Sequence, residues 1–159
     1  MRLLTDKHRE GETGESVNLQ SNCSVGERRR RTILLVEDEL FVRQATSSLL
    51  ERAGFNVLKA EYASEAMRIF HESPDIDLVM TDMVLPGANG QQLGEALRQC
   101  SPGIAVLITS GYNNLEYEVE DPETQTYFLA KPYSRRTLLA KIEEMLAPVA
   151  LALAASQAG

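Results

Sequence analysis

The sequence predicts an α/β domain, a doubly wound parallel sheet of five strands with helices on both faces. Three observations point there. Short runs of strand character recur at 33–36, 78–81 and 105–109, the first continuously apolar and the others apolar up to a closing Thr, as expected of strands buried on both sides. Amphipathic stretches of helical length lie between the strands, so the two element types alternate. Several runs end on a charged or hydroxyl residue, which a sheet presenting side chains at one edge requires.

Residues 1–27 are polar, without a sustained apolar period, and read as a disordered arm that Arg28–Arg31 close, giving an arm over 1–31. The arginine run reads as a solvated flank of the first strand, in preference to a docking patch for an acidic partner or membrane surface. From Thr32 the alternation begins. Ile33–Val36 is the first strand. Leu40–Ala53 is helical, with Phe41, Ala45 and Leu49 recurring at i+4 and Val42, Thr46 and Leu50 beside them; Gly54 stops it. Asn56–Ala60 is the second strand, and Ser64 is expected to cap a helix carrying Ala66, Met67, Ile69 and Phe70. Leu78–Thr81 is the third strand, running into Asp82, with Pro86 and Gly87 as turn residues behind it. A helix from about Gly90 to Cys100 turns Leu93, Ala96 and Leu97 inward. Ala105–Thr109 and Thr126–Ala130 are the last strands, and Ser134 caps a final helix with Leu138, Leu139, Ile142, Met145 and Leu146. Residues 113–124 fit period two and a helix about equally, and Pro122 limits any fourth helix to a short or irregular one.

The 159 residues carry 43% hydrophobic and 25% charged side chains and a net charge of −7. The excess acid lies beyond residue 31, which argues against general nucleic-acid binding. MRLLTDKHRE lacks the apolar run of a secretory signal, and the run 149–155 is far short of the ~20 residues of a membrane span. Cys23 and Cys100 match no metal spacing and read as free thiols in a reducing cytoplasm. His8 and His71 have no ligand-like neighbours in sequence.

A parallel sheet gathers the residues just past the ends of its strands: Glu37 and Asp38, then Asp82, then Ser110, then Lys131. Clustered carboxylates repel one another unless a cation sits among them, and Mg²⁺ is the hard divalent ion suited to carboxylates and water. That inventory suits phosphoryl transfer. Asp82 would be the nucleophile, and the metal, Lys131 and the Ser110 hydroxyl would hold the equatorial oxygens.

The stretches ILLVEDE (33–39), LVMTDMVLPGANG (78–90), VLITSG (106–111) and FLAKPY (128–133) resemble the receiver domains of two-component response regulators, most of all those attached to hybrid sensor kinases. The resemblance runs from about Thr32 to Leu146. It implies a flavodoxin-like sheet of order 2-1-3-4-5 over a domain of 32–147. By resemblance Asp82 is the phosphoacceptor, Asp38 a direct metal ligand, Glu37 a ligand through water, and the Val84 carbonyl a further ligand. Ser110 is then the switch hydroxyl, Lys131 the phosphate-binding amine, and Phe128 the aromatic that turns inward; the alternative for Phe128 is a strand aromatic that never moves. The implied partners are a histidine kinase or histidine phosphotransfer protein and a downstream protein at the 112–135 face, which in the family also serves dimerisation. The implied setting is cytoplasmic.

Departures from the family pattern sharpen these expectations. Glu37 stands for the usual Asp, and Gly111 for Ala. Val84 and Tyr112 flank the phosphate's approach without a group to orient water, which predicts slow self-dephosphorylation. The acids of 113–124 suit either a basic partner or a solvated loop. Residues 148–159 are too short for a DNA-binding helix-turn-helix, so a stand-alone receiver is expected, with an Ala/Leu-rich tail. The competing functions are a phosphorylation-independent scaffold and an aspartate-nucleophile phosphatase, the latter disfavoured because Val84 stands where the general acid would be.

Overall fold

The computed structural model describes residues 28–111 and 120–147. In chain order they form β1 (Thr32–Val36), α1 (Leu40–Arg52), β2 (Asn56–Ala60), α2 (Ala63–Glu72), β3 (Leu78–Asp82), β4 (Val84–Leu85), β5 (Ala88–Asn89), α3 (Gly90–Cys100), β6 (Ala105–Ser110), β7 (Thr126–Ala130) and α4 (Arg135–Leu146). Five strands make one all-parallel sheet in the order β2-β1-β3-β6-β7, and β4 with β5 forms a separate antiparallel pair. Counting the sheet strands alone, this is the expected 2-1-3-4-5. The chain reverses its direction of travel across the sheet between β1 and β3, and the crevice at their carboxyl ends is where such folds bind ligands.

Side chains alternate between the two faces. Leu34, Val36, Val79, Val106 and Ile108 pack with α2 and α3 through Ala66, Leu93 and Leu97. Ile33, Leu35, Leu78, Met80 and Leu107 pack with α1 and α4 through Leu50, Leu138, Ile142 and Met145.

Several local expectations change. The buried row of α1 is Thr46, Ser47 and Leu50, while Phe41 is 77% exposed and Ala45 faces solvent. The inward row is offset from the one that begins at Phe41, because Phe41 lies in the first turn, past the end of the strand it would cover. Helix α2 starts one residue before Ser64, with Tyr62 as N-cap, and the Glu65 carboxylate accepts the Glu61 N–H at 2.8 Å. Ser134 caps α4 as expected, accepting from the Thr137 N–H. Of the basic run, Arg29 and Arg31 grip Asp77 at 2.9 and 3.0 Å, and Asp77 also accepts the Thr32 N–H at 2.7 Å. These residues belong to the edge of the fold as well as to the arm. Residues 120–125 form a turn, with Asp121 bridged to Thr126 and its carboxylate accepting from the Glu123 N–H; 112–119, like 1–27 and 148–159, lie outside the described residues.

The loop after β3 is more ordered than a turn alone. Pro86 and Gly87 close the β4–β5 hairpin, Gly87 taking the positive φ of 72° that the second turn position needs. Asn89 then caps α3 reciprocally with Gln92. Gly90 is required by packing: a Cβ there would lie 2.5 Å from the Asp82 carbonyl oxygen and 3.0 Å from Thr81 Cγ2. Gly90→Ala should therefore push α3 off β3 and cost about 1–3 kcal/mol in urea unfolding. Gly103→Ala, where a Cβ meets nothing within 4 Å, should stay within about 0.5 kcal/mol of wild type.

Candidate phosphoacceptor and metal site

Two residues beyond Leu35, Met80 and Leu129, the alternation places Glu37, Asp82 and Lys131 on the α1/α4 side of the sheet. Ser110 comes after Val106 and Ile108 in the same alternation, so it falls with Phe128 on the α2/α3 side. The site is thus divided between the two faces at one edge.

One oxygen each of Glu37, Asp38 and Asp82 lies within 4.8 Å of the other two. Lys131 Nζ lies 3.2 Å from Glu37 Oε2 and 3.3 Å from Asp82 Oδ2. Glu37 is buried; its N–H donates to the Ala60 carbonyl, and its other carboxylate oxygen accepts the Glu39 N–H at 3.2 Å. Asp38 is exposed and Asp82 half-buried. The edge is pinned from below: the Met83 N–H donates to the Thr109 carbonyl at 2.8 Å and the Lys131 N–H to the Ser110 carbonyl at 2.7 Å. Ser110 is buried, and Phe128 is half-buried against the α2/α3 core.

The hairpin presents Val84 with its side chain 65% exposed. The Gly90 N–H bonds the Met83 carbonyl, so antiparallel alternation makes Val84 and Asn89 a pair without ladder bonds, and the Asn89 N–H goes to Gln92 Oε1. The ladder therefore leaves the Val84 carbonyl available to a cation.

Two contributors escaped the sequence reading. Arg43 on α1 donates from Nη1 to the Glu37 carbonyl at 2.5 Å and to the Asp38 carbonyl at 3.3 Å, while Nη2 lies 3.5 Å from Glu61. It ties the acid-bearing turn to the end of β2. A lone arginine one turn into a helix carries no signal of that in sequence. Tyr133 is the other: burial pushes its phenol up despite a hydrogen bond from Thr46 on α1.

Charge decides what the cluster can hold. Three carboxylates face one ammonium. Burial pushes the Glu37 carboxyl up, and the attraction of Lys131 only partly offsets it. Burial alone would lower Lys131, but Asp82 and Glu37 together carry it above its ordinary value. The excess of negative charge on hard oxygen donors, one buried and one open to solvent, fits a divalent ion such as Mg²⁺.

Residues 33–143 match the response regulator receiver domain family. The chain is 35% identical over 117 residues to the sensor kinase CckA of Brucella abortus, covering 72% of this chain and 12% of that protein. It is 33% identical over 121 residues to the aerobic respiration control protein ArcA of Escherichia coli, covering 48% of it. The chain thus spans half or less of these relatives. Among solved structures, the receiver domain of the hybrid histidine kinase CckA aligns at 33% identity and a TM-score of 0.62, over 72% of this chain and 98% of that one. A receiver domain protein from Clostridium thermocellum aligns at 30% identity and a TM-score of 0.68, over 73% and 94%.

The raised Glu37 carboxyl makes a signed prediction. A group whose pKa rises on folding contributes stability that is complete below its unfolded value, 4.5 for Glu, and is lost as pH climbs through the folded value. In chelator, Glu37→Gln should therefore gain on wild type in urea midpoint between pH 5 and pH 7.5. A gap that is flat or shrinks over that range would contradict the burial cost.

Proposed function

The chain belongs to the response-regulator receiver family, and from that premise we propose that it accepts phosphate on Asp82 from a phosphohistidine donor. The donor would be a histidine kinase or histidine phosphotransfer protein of a cytoplasmic two-component pathway. The observation that carries the proposal is the convergence of Glu37, Asp38 and Asp82 on one edge, with Lys131 bridging two of them.

In this reading an Asp82 carboxylate oxygen attacks phosphorus, the O–P bond forms as the donor's P–N bond breaks, and the freed imidazole nitrogen takes a proton from solvent. Asp38, Glu37 (through water), Asp82 and the Val84 carbonyl would hold Mg²⁺, which neutralises charge on the phosphoryl oxygens when bound. Lys131 moves from balancing Glu37 and Asp82 to pairing with a phosphoryl oxygen. The Ser110 hydroxyl takes another oxygen, and Phe128 turns inward after it across the α2/α3 side, which alters the surface around β7. A downstream partner or a second copy would read that surface within 112–135.

The phosphatase reading loses ground here, since Val84, two residues past Asp82, is apolar and points to solvent. The scaffold reading is opposed by the presence of all of Glu37, Asp38, Asp82, Ser110 and Lys131. The test is intact mass after incubation with acetyl phosphate and Mg²⁺. Wild type should gain one phosphoryl group and Asp82→Asn none; uptake by neither would support the scaffold. With Val84 supplying nothing to orient water, the phosphorylated form should decay slowly, and rapid loss that chelation of Mg²⁺ abolishes would count against that shielding.

A further inference from the structure

The sequence pairs neither cysteine with a histidine, but the fold does. His71 in the last turn of α2 and Cys100 at the end of α3 meet with Nε2 at 3.6 Å from Sγ, across 29 positions of chain. The His71 Nδ1–H donates to the Met67 carbonyl at 2.6 Å, and a carbonyl can only accept. In the neutral ring the proton therefore sits on Nδ1, and Nε2 turns its lone pair on the thiol. Both side chains border a groove of about 310 Å³, walled by Phe70, Pro74 and Ile76 and edged by Ser73 and Ser101. Cys100 is a free, exposed thiol.

We propose that Cys100 is a thiol-modification site, assisted by His71, that takes low-molecular-weight disulfides. The Sγ–H proton passes to His71 Nε2, and the Cys100 thiolate attacks one sulfur of the disulfide. A new S–S bond forms to Cys100 as the old one breaks. The leaving thiolate takes the proton back from the imidazolium, so Cys100 is oxidised and half of the reagent is reduced to free thiol. The reaction depends on His71, whose Nε2 lies 3.6 Å from Sγ. Because both helices run back against the strands, the pair lies at the edge where the strands begin, opposite Asp82. The site is independent of the phosphoryl chemistry.

The experiment uses the full chain with Cys23→Ser, treated with oxidised glutathione and monitored by intact mass. Cys100 should form the mixed disulfide about tenfold faster than in His71→Ala and His71→Gln, with both variants folded by circular dichroism. His71→Gln keeps a good helix former at that position. Phosphoryl uptake from acetyl phosphate should match wild type in all of these proteins. Equal rates with and without His71, or no modification of Cys100 at all, would overturn the assignment.

Discussion

The ammonium of Lys131, held between Glu37 and Asp82, is the contact around which the site is built. It joins the ends of β1, β3 and β7, and β7 is separated from β3 by β6. The side chain must therefore reach over the end of β6, which is possible only if all three residues lie on one face at one edge. The register of four parallel strand pairings sets that condition. A slip of one residue in β3 would send Asp82 to the opposite face. The packing below the site, with Leu78 and Met80 fitted to the α1/α4 side and Val79 to the α2/α3 side, is what holds the charges above it in place.

The same contact holds the site short of balance. Burial opposes the charge on Glu37, and one lysine serves two of the three carboxylates. Arg43 adds a second cation, but spends its donors on the Glu37 and Asp38 backbone carbonyls and on Glu61. It fixes the turn without neutralising the cluster. A site left acidic and pre-arranged suits a divalent cation, which corrects the imbalance and would offset the negative charge that a phosphoryl group adds. Gly90 completes the arrangement by letting α3 close on the strand that carries Asp82.

Much of this was legible in the sequence because it depends on period-two burial and on the residue types at the strand ends. Ile33–Val36 is apolar throughout, and Leu78–Thr81 and Ala105–Thr109 are apolar up to a closing Thr, so their ends, and hence Glu37, Asp38, Asp82 and Ser110, could be placed from the chain alone. What escaped depends on contacts without local signal. Phe41 looked like the start of a buried row because periodicity does not say where a helix outruns the sheet. Ser64 looked like a cap, but the helix starts at Ala63 without a side-chain cap, and Glu65 instead accepts the Glu61 N–H just ahead of it. The β4–β5 hairpin is two residues per strand, too short for any alternation to show. Arg43 and the His71–Cys100 pair are products of tertiary packing, 6 and 29 positions from the groups they meet.

If Glu37, Asp38, Asp82 and Lys131 act as one unit awaiting a divalent cation, Mg²⁺ must bind the folded state and not the unfolded one. Urea unfolding titrated with Mg²⁺ reads that difference, because an ion bound only by the folded state stabilises it, by about 2.7 kcal/mol at a hundredfold excess over its dissociation constant. The wild-type midpoint should rise with Mg²⁺ and saturate, and the rise should be largely lost in Asp38→Asn and Asp82→Asn. A wild-type midpoint indifferent to Mg²⁺, or a rise of equal size in those variants, would contradict a shared cation site.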